Sequence, residues 1–159
     1  MRYPVLETEN LFLRKPLPQD FPAQAPGARN WFGVTQTLGH WDAQSFGPFA
    51  LICKDTDLCL GLVGPWNPTD WPEAELVWQL WDERTKTEIA REAIAAAYGF
   101  ARRTLGWNAC VTYLGFANRT GIALAETLGA TRDRFADTPV GRDCLVYRHG
   151  TQNGVPKAA

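Results

Sequence analysis

The sequence predicts an α+β (mixed α/β) domain built on a mostly antiparallel sheet, and three observations predict it. Short apolar runs with strand-like alternation open the chain and recur through its middle. The period then changes: Ile89, Ala93, Ala97, Phe100 and Ala101 recur at helical spacing. Strand and helix alternate once more after that, which is how a βαβ unit reads when it is grafted onto hairpins.

In chain order, "LETENLFLRKP" alternates through Leu11 and Leu13 and is expected as one strand. "LPQDFPAQA" is expected as a short helix entered at proline. Residues 25–45 read as helical in parts, punctuated by Gly27, Gly33 and Gly39. Residues 49–54 and 58–63 are β-rich and joined by "DTD", a hairpin signature. "NPTDWPEA" is a loop, and 75–81 is the next strand. The amphipathic helix then runs over 86–105 and stops at Gly106. A strand over 109–114, a helix over 118–128 closed by Gly129 and a strand over 144–149 complete the order. No repeat or linker divides the chain, so residues 1–150 are expected to form one domain and 151–159 a small, polar, frayed tail.

Composition narrows the partners. The chain has 159 residues and a formal net charge of −1, with no block of like charge to track a nucleic-acid backbone or an anionic membrane. No apolar run approaches the length of a membrane span, and "MRYPVLETEN" lacks the apolar core of a secretion signal, so a cytoplasmic protein is expected. Cys53, Cys59, Cys110 and Cys144 sit in apolar runs without metal-type spacing and are expected as reduced thiols. His40 and His149 are too far apart in sequence to read as a ligand pair, so no metal site is expected.

Four local sequences, in this order, resemble the GCN5-related N-acetyltransferase (GNAT) superfamily. "LETENLFLRKPLPQDF" is similar to the opening L-E-T-x-R-L-x-L-R strand of the branch that holds the ribosomal-protein N-terminal acetyltransferases. "PFALICKDTDLCLGLVG" resembles its central hairpin, with the Leu60–Gly61 pair. "AELVWQLWDE" resembles the E-[IL]-G-[YW]-x-[IL] strand, with Val77 in place of glycine. "NRTGIALAETLGA" matches the N-x-x-[SA]-x-x-[LV]-x-E-x-L-G-[AF] helix. Together they cover roughly residues 6–130.

The resemblance implies a sheet of six or seven strands flanked by about four helices. It implies acetyl transfer from acetyl-CoA to a small-molecule or peptide amine, by direct attack in a ternary complex. The pantetheine arm would lie between two splayed strands, touching Val77, Gln79 and Leu80, whose backbone N–H groups would polarise the thioester carbonyl. Asn118 would contact the same arm or cap its own helix. Glu75 is the candidate general base, and Trp66, Trp71 and Tyr113 are candidate walls of the acceptor site. The helix tyrosine that protonates the leaving thiolate in many relatives is replaced by Ala125.

The turn that holds pyrophosphate in this superfamily, [QR]-x-x-G-x-[GA], falls on Thr85, Lys86, Thr87, Glu88, Ile89 and Ala90. Such a turn needs backbone N–H groups at a helix start that an anion can approach closely. Only Ala90 keeps the pattern, and Glu88 stands where glycine is usual. The residues present, "TKTE", instead have the spacing of a capping box, Thr85 to Glu88, worth about 1 kcal/mol to the helix start. Beside a bound anion the Glu88 charge would cost roughly 3 kcal/mol at ~5 Å and an effective dielectric of ~20. The alternative function is therefore a non-catalytic GNAT-like protein with weak or lost CoA binding, a module that binds another ligand or a partner, with a homodimer as one form of it.

Overall fold

The computed structural model describes residues 2–22, 27–81 and 85–150, with backbone alone for 27–32. An eight-stranded sheet runs in the order β1-β2-β3-β4-β5-β6-β8-β7. Its strands are β1 (Leu6–Glu7), β2 (Leu11–Arg14), β3 (Phe49–Cys53), β4 (Cys59–Trp66), β5 (Glu75–Leu80), β6 (Cys110–Leu114), β7 (Thr131–Arg132) and β8 (Leu145–His149). The described helices are α1 (Gly27–Gln44), α2 (Thr87–Arg103) and α3 (Arg119–Thr127), plus one 3-10 turn at Pro18–Asp20. All neighbouring strands are antiparallel except β5 and β6, which are parallel and joined through α2.

The opening segment expected as one strand is a hairpin. Leu6 pairs with Leu13 and Glu7 with Phe12, so "TEN" is a turn inside the alternating run. The turn is tied down from far along the chain: Asn10 N–H and Nδ2 donate to the two oxygens of Glu92 at 2.8 and 2.9 Å, and Thr8 Oγ1 also donates to Glu92. Two sequence motifs some eighty residues apart thus meet in one clasp. The proline-entered helix is a single 3-10 turn, and the rest of its expected span falls largely outside the described residues.

α1 is continuous where glycine punctuation suggested breaks. A side chain at Gly33 or Gly39 would meet nothing within 4 Å, so these glycines face open space. Their propensity cost of about 1 kcal/mol each is offset by the buried face of Val34, Thr37, His40 and Trp41. β7 is two residues long and carries no sequence signal. Sheet and helix counts therefore differ slightly from the expectation, while the mixed, mostly antiparallel layout is as expected.

The main core forms where α2 lays Ala93, Ile94, Ala97 and Phe100 on Leu13, Leu51, Val63 and Leu76. Small side chains on α2 let the helix approach the strands closely. Trp41 closes one end of this core, fully buried, its indole N–H donating to Pro48 O at 2.8 Å. A second cluster, Leu114, Ala125, Leu145 and Tyr147, seats α3. Gly61 is needed where β4 meets β5: a Cβ there would sit 2.2 Å from Gln79 O. The tail 151–159 lies outside the described residues.

Candidate active site

The site is built by the failure of one strand pair. β5 and β6 share a single bridge, Glu75 with Val111, and then diverge. Beyond that bridge, Trp81 N–H donates to Leu60 O, and antiparallel alternation turns the amides of Gln79 and Val77 toward β4 as well. The amides of Trp78 and Leu80 consequently face the gap. Pro65 fits the same pattern: lacking an N–H, it sits opposite Leu76, where β4 donates no hydrogen bond to β5.

A cavity of about 340 Å³ occupies the gap and the sheet face beside it. Glu75, Val77 and Gln79 reach it from one face of β5, and Tyr113 from β6. Trp66 and Trp71 wall it from the β4–β5 connection, and Asn118 lies at its α3 end. The sequence-predicted residues on this list are thus brought together. Leu80 is not among them: its side chain packs into the main core, leaving only its amide for the gap.

Glu75 is 4% exposed, a buried carboxylate at the start of β5. Trp71 Nε1 donates to its Oε1 at 2.8 Å, and Tyr113 N–H points at Oε2 at 3.3 Å. Burial raises the Glu75 pKa above the ordinary carboxylate range, and these two donors oppose the shift. Tyr113 Oη and Trp78 Nε1 are enclosed and have no hydrogen-bond partner. Burial, then the charges of Glu73 and Glu75, raise the Tyr113 phenol and keep it protonated. Trp66 stacks on His40 with ring centroids 4.5 Å apart. His40 accepts from Asn67 N–H through Nε2 and donates through Nδ1 to Phe46 O, a structural role that anchors the Trp66 wall.

Asn118 is the N-cap of α3, its Oδ1 accepting from Gly121 N–H at 2.9 Å. The cap uses the oxygen and not Nδ2, so it does not conflict with a second role for the same side chain. Ala125 is fully buried and brings no hydroxyl toward the gap.

The capping box is not formed. The N-cap of α2 is Lys86, with extended φ −64° and ψ 147°, and its own side chain makes no capping hydrogen bond. Glu88 is therefore one position too early in the first turn to reach back as a box requires. Thr85 Oγ1 is enclosed without a partner. Lys86, Thr87 and Glu88 are exposed, while Ile89 packs on the core and Ala90 is buried. A further cleft of about 320 Å³ lies between Thr87 and the length of α3, lined there by Arg119, Thr120, Ala123, Leu124 and Thr127. The residues present fit an extended anionic thioester: strand amides aimed into the gap, an exposed helix start at Lys86, Thr87 and Glu88, and a cleft lined by Arg119.

Sequence reasoning missed Arg142, Gln36 and Thr37, which also line the main cavity. Arg142 comes from the turn before β8, with its guanidinium 6.0 Å from the Tyr113 ring, and no motif marks it. Among the described residues no group of three or more His, Cys, Asp or Glu is placed to hold a metal. No helix there is long and apolar enough to cross a membrane.

Comparison with known proteins agrees with this geometry. No curated protein matches the chain. Among solved structures, an acetyltransferase from Agrobacterium tumefaciens is 28% identical with a TM-score of 0.82, over 94% of this chain and 95% of that one. A ribosomal-protein-S5-alanine acetyltransferase from Vibrio fischeri shares the fold at 13% identity and a TM-score of 0.67, over 96% and 99% of the two chains. A GNAT-family acetyltransferase from Bacillus anthracis does so at 12% and 0.66, over 91% and 95%. The model of the GNAT acetyltransferase domain matches residues 9–131, and with the splayed strands at its centre this chain belongs to the GNAT acetyltransferase family.

Proposed function

We propose that the protein is an N-acetyltransferase that uses acetyl-CoA and a small-molecule or peptide amine in a ternary complex. The observation that carries this reading is the gap after the Glu75–Val111 bridge, with a buried carboxylate at its floor. Acetyl-CoA supplies an activated acetyl thioester. Val77, Gln79 and the Trp78 and Leu80 amides line its path, Asn118 Nδ2 touches the arm, and the α2 turn from Thr85 to Ala90 with Arg119 meets the phosphates. Glu75 takes a proton from the acceptor ammonium, directly or through water. The freed amine nitrogen bonds to the carbonyl carbon, and a β5 amide donates to the oxyanion that develops. The nitrogen then loses its second proton to solvent, the carbon–sulfur bond breaks, and the thiolate takes a proton from solvent. Trp66, Trp71 and Tyr113 surround the acceptor.

The exposed position of Glu88 softens the electrostatic objection to the turn. At ~5 Å and a water-like dielectric its charge weakens anion binding about fourfold rather than a hundredfold. The weak-binding, non-catalytic reading is left without its capping box.

The experiment is release of free CoA thiol in the presence of an amine panel, repeated with Glu75→Gln. A fall in kcat/KM of about a hundredfold or more, with acetyl-CoA affinity retained, is expected. Unchanged turnover in Glu75→Gln would remove Glu75 from the mechanism.

A further inference from the structure

The two connections that wall the main cavity meet at one buried side chain. Glu75, Val111 and Arg148 are register partners on β5, β6 and β8, so their side chains stand in one row on the same face of the sheet. Arg148 is 7% exposed, and the proposed acetyl transfer gives it no part.

Its guanidinium is engaged along two edges. Nη1 and Nη2 donate to the two oxygens of Glu73 at 2.6 and 2.9 Å. Nε donates to Asp133 Oδ2 at 2.9 Å, and Nη2 lies 2.8 Å from the same oxygen. Glu73 belongs to the β4–β5 connection, between Trp71 and Glu75. Asp133 opens the β7–β8 connection, which carries Arg142 to the cavity. Trp71, Ala136 and Cys144, from these same two connections, pack on Val111, Tyr113 and Val146.

The β4–β5 connection is held at its ends by other means. Asn67 is tied to His40 and Gln44, and Ala74 O accepts from Val111 N–H. Among the described residues, 68–73 have two side-chain hydrogen bonds to the rest of the chain: Trp71 on Glu75, and Glu73 with Arg148. Stability alone is a poor account of the second, because apolar side chains of similar volume close such a face as well as a buried ion pair does. The arginine adds direction. Its planar fork fixes two carboxylates at once, which neither an apolar group nor a lysine can do.

We infer that Arg148 is a positioning residue of the acceptor site: by clasping Glu73 and Asp133 it holds the Trp71 indole on Glu75 and the Arg142 loop beside Tyr113. Arg148 touches no reacting atom and acts on the carboxylate through Glu73 and Trp71. Its effect on turnover rests on the acetyl-transfer reading, and its effect on Trp71 does not.

Hydrogen exchange of the indole N–H groups in the full chain reads the clasp, with the Trp71 signal assigned by its loss in Trp71→Phe. Arg148→Lys keeps the charge and removes the fork, so the field at Glu75 is preserved. Glu73→Gln alters a side chain that is one-third exposed and serves if the lysine variant does not fold. Each should speed exchange at Trp71 about tenfold and leave Trp41, bonded to Pro48 O in the main core, unchanged. Arg148→Lys should also lower kcat/KM for the acceptor amine about tenfold, with acetyl-CoA affinity retained. In the Trp71→Phe background that loss should shrink to about threefold or less. Unchanged exchange at Trp71 in both variants overturns the inference. So does acceleration shared equally with Trp41, or a tenfold loss that persists in Trp71→Phe. If the wild type turns over no amine, the acetyl-transfer reading fails, and exchange at Trp71 still decides the clasp.

Discussion

Glu75 and Trp71 lie four residues apart across a bend, and their contact governs the chemistry at the floor of the gap. A buried carboxylate gains basicity from desolvation, and each donor it accepts from returns part of that shift. Glu75 is raised by burial and opposed first by Trp71 and then by Tyr113 N–H. A base must be unprotonated, so activity should fall as pH drops through this raised value. Trp71→Phe keeps the ring and removes the donor, so the acidic limb of kcat/KM against pH should move to higher pH. A limb that stays put would separate Trp71 from the base. At this scale the sequence was partly legible. Glu75 could be placed because it opens a strand with a known pattern, and its burial could not, because that depends on a tryptophan folding back over it. Arg142 sits in an unmarked turn and reaches the cavity only through the path of the loop before β8.

At the scale of elements, α2 was the most readable part, since its buried residues fall at helical spacing. Its start was misread by one residue, and that changed the chemistry. The S/T-x-x-E spacing permits a box, but Ile89 and Ala90 must turn into the core, and the helix begins where that orientation is reached. Thr85 therefore keeps an enclosed hydroxyl without a partner. Thr85→Val, which preserves shape, should leave stability unchanged or raise it by up to about 1 kcal/mol. A capping role predicts a loss of about that size instead. Urea unfolding at constant m-value distinguishes the two. The clasp between the β1–β2 turn and α2 makes the opposite prediction. Glu92→Ala strands Asn10 N–H, Asn10 Nδ2 and Thr8 Oγ1 and should cost about 2–3 kcal/mol in the same measurement. The hairpin itself was hidden because its turn keeps the alternation of the strands on either side.

Over the whole molecule, the buried histidines set the acid side of stability. Burial pushes His149 down from 6.5 to about 4, and lowers His40 as well. The unfolded chain then binds protons that the folded chain refuses, so stability is full above pH 6.5 and is lost as pH falls toward 4. His149 accounts for up to about 3 kcal/mol of that loss. Denaturation at several pH values should show the slope, and His149→Gln should flatten it. The layered architecture was legible from the order of patterned segments. The splay was not, because it depends on two parallel strands pairing once and no further, a relation between residues far apart in sequence. That splay, with the open start of α2, is the basis for proposing a cofactor site. Calorimetric titration with acetyl-CoA tests it most directly. One equivalent should bind saturably, and Glu88→Gly should tighten it about fourfold. No binding by the wild type, or by Lys86→Gly combined with Glu88→Gly, would contradict the account.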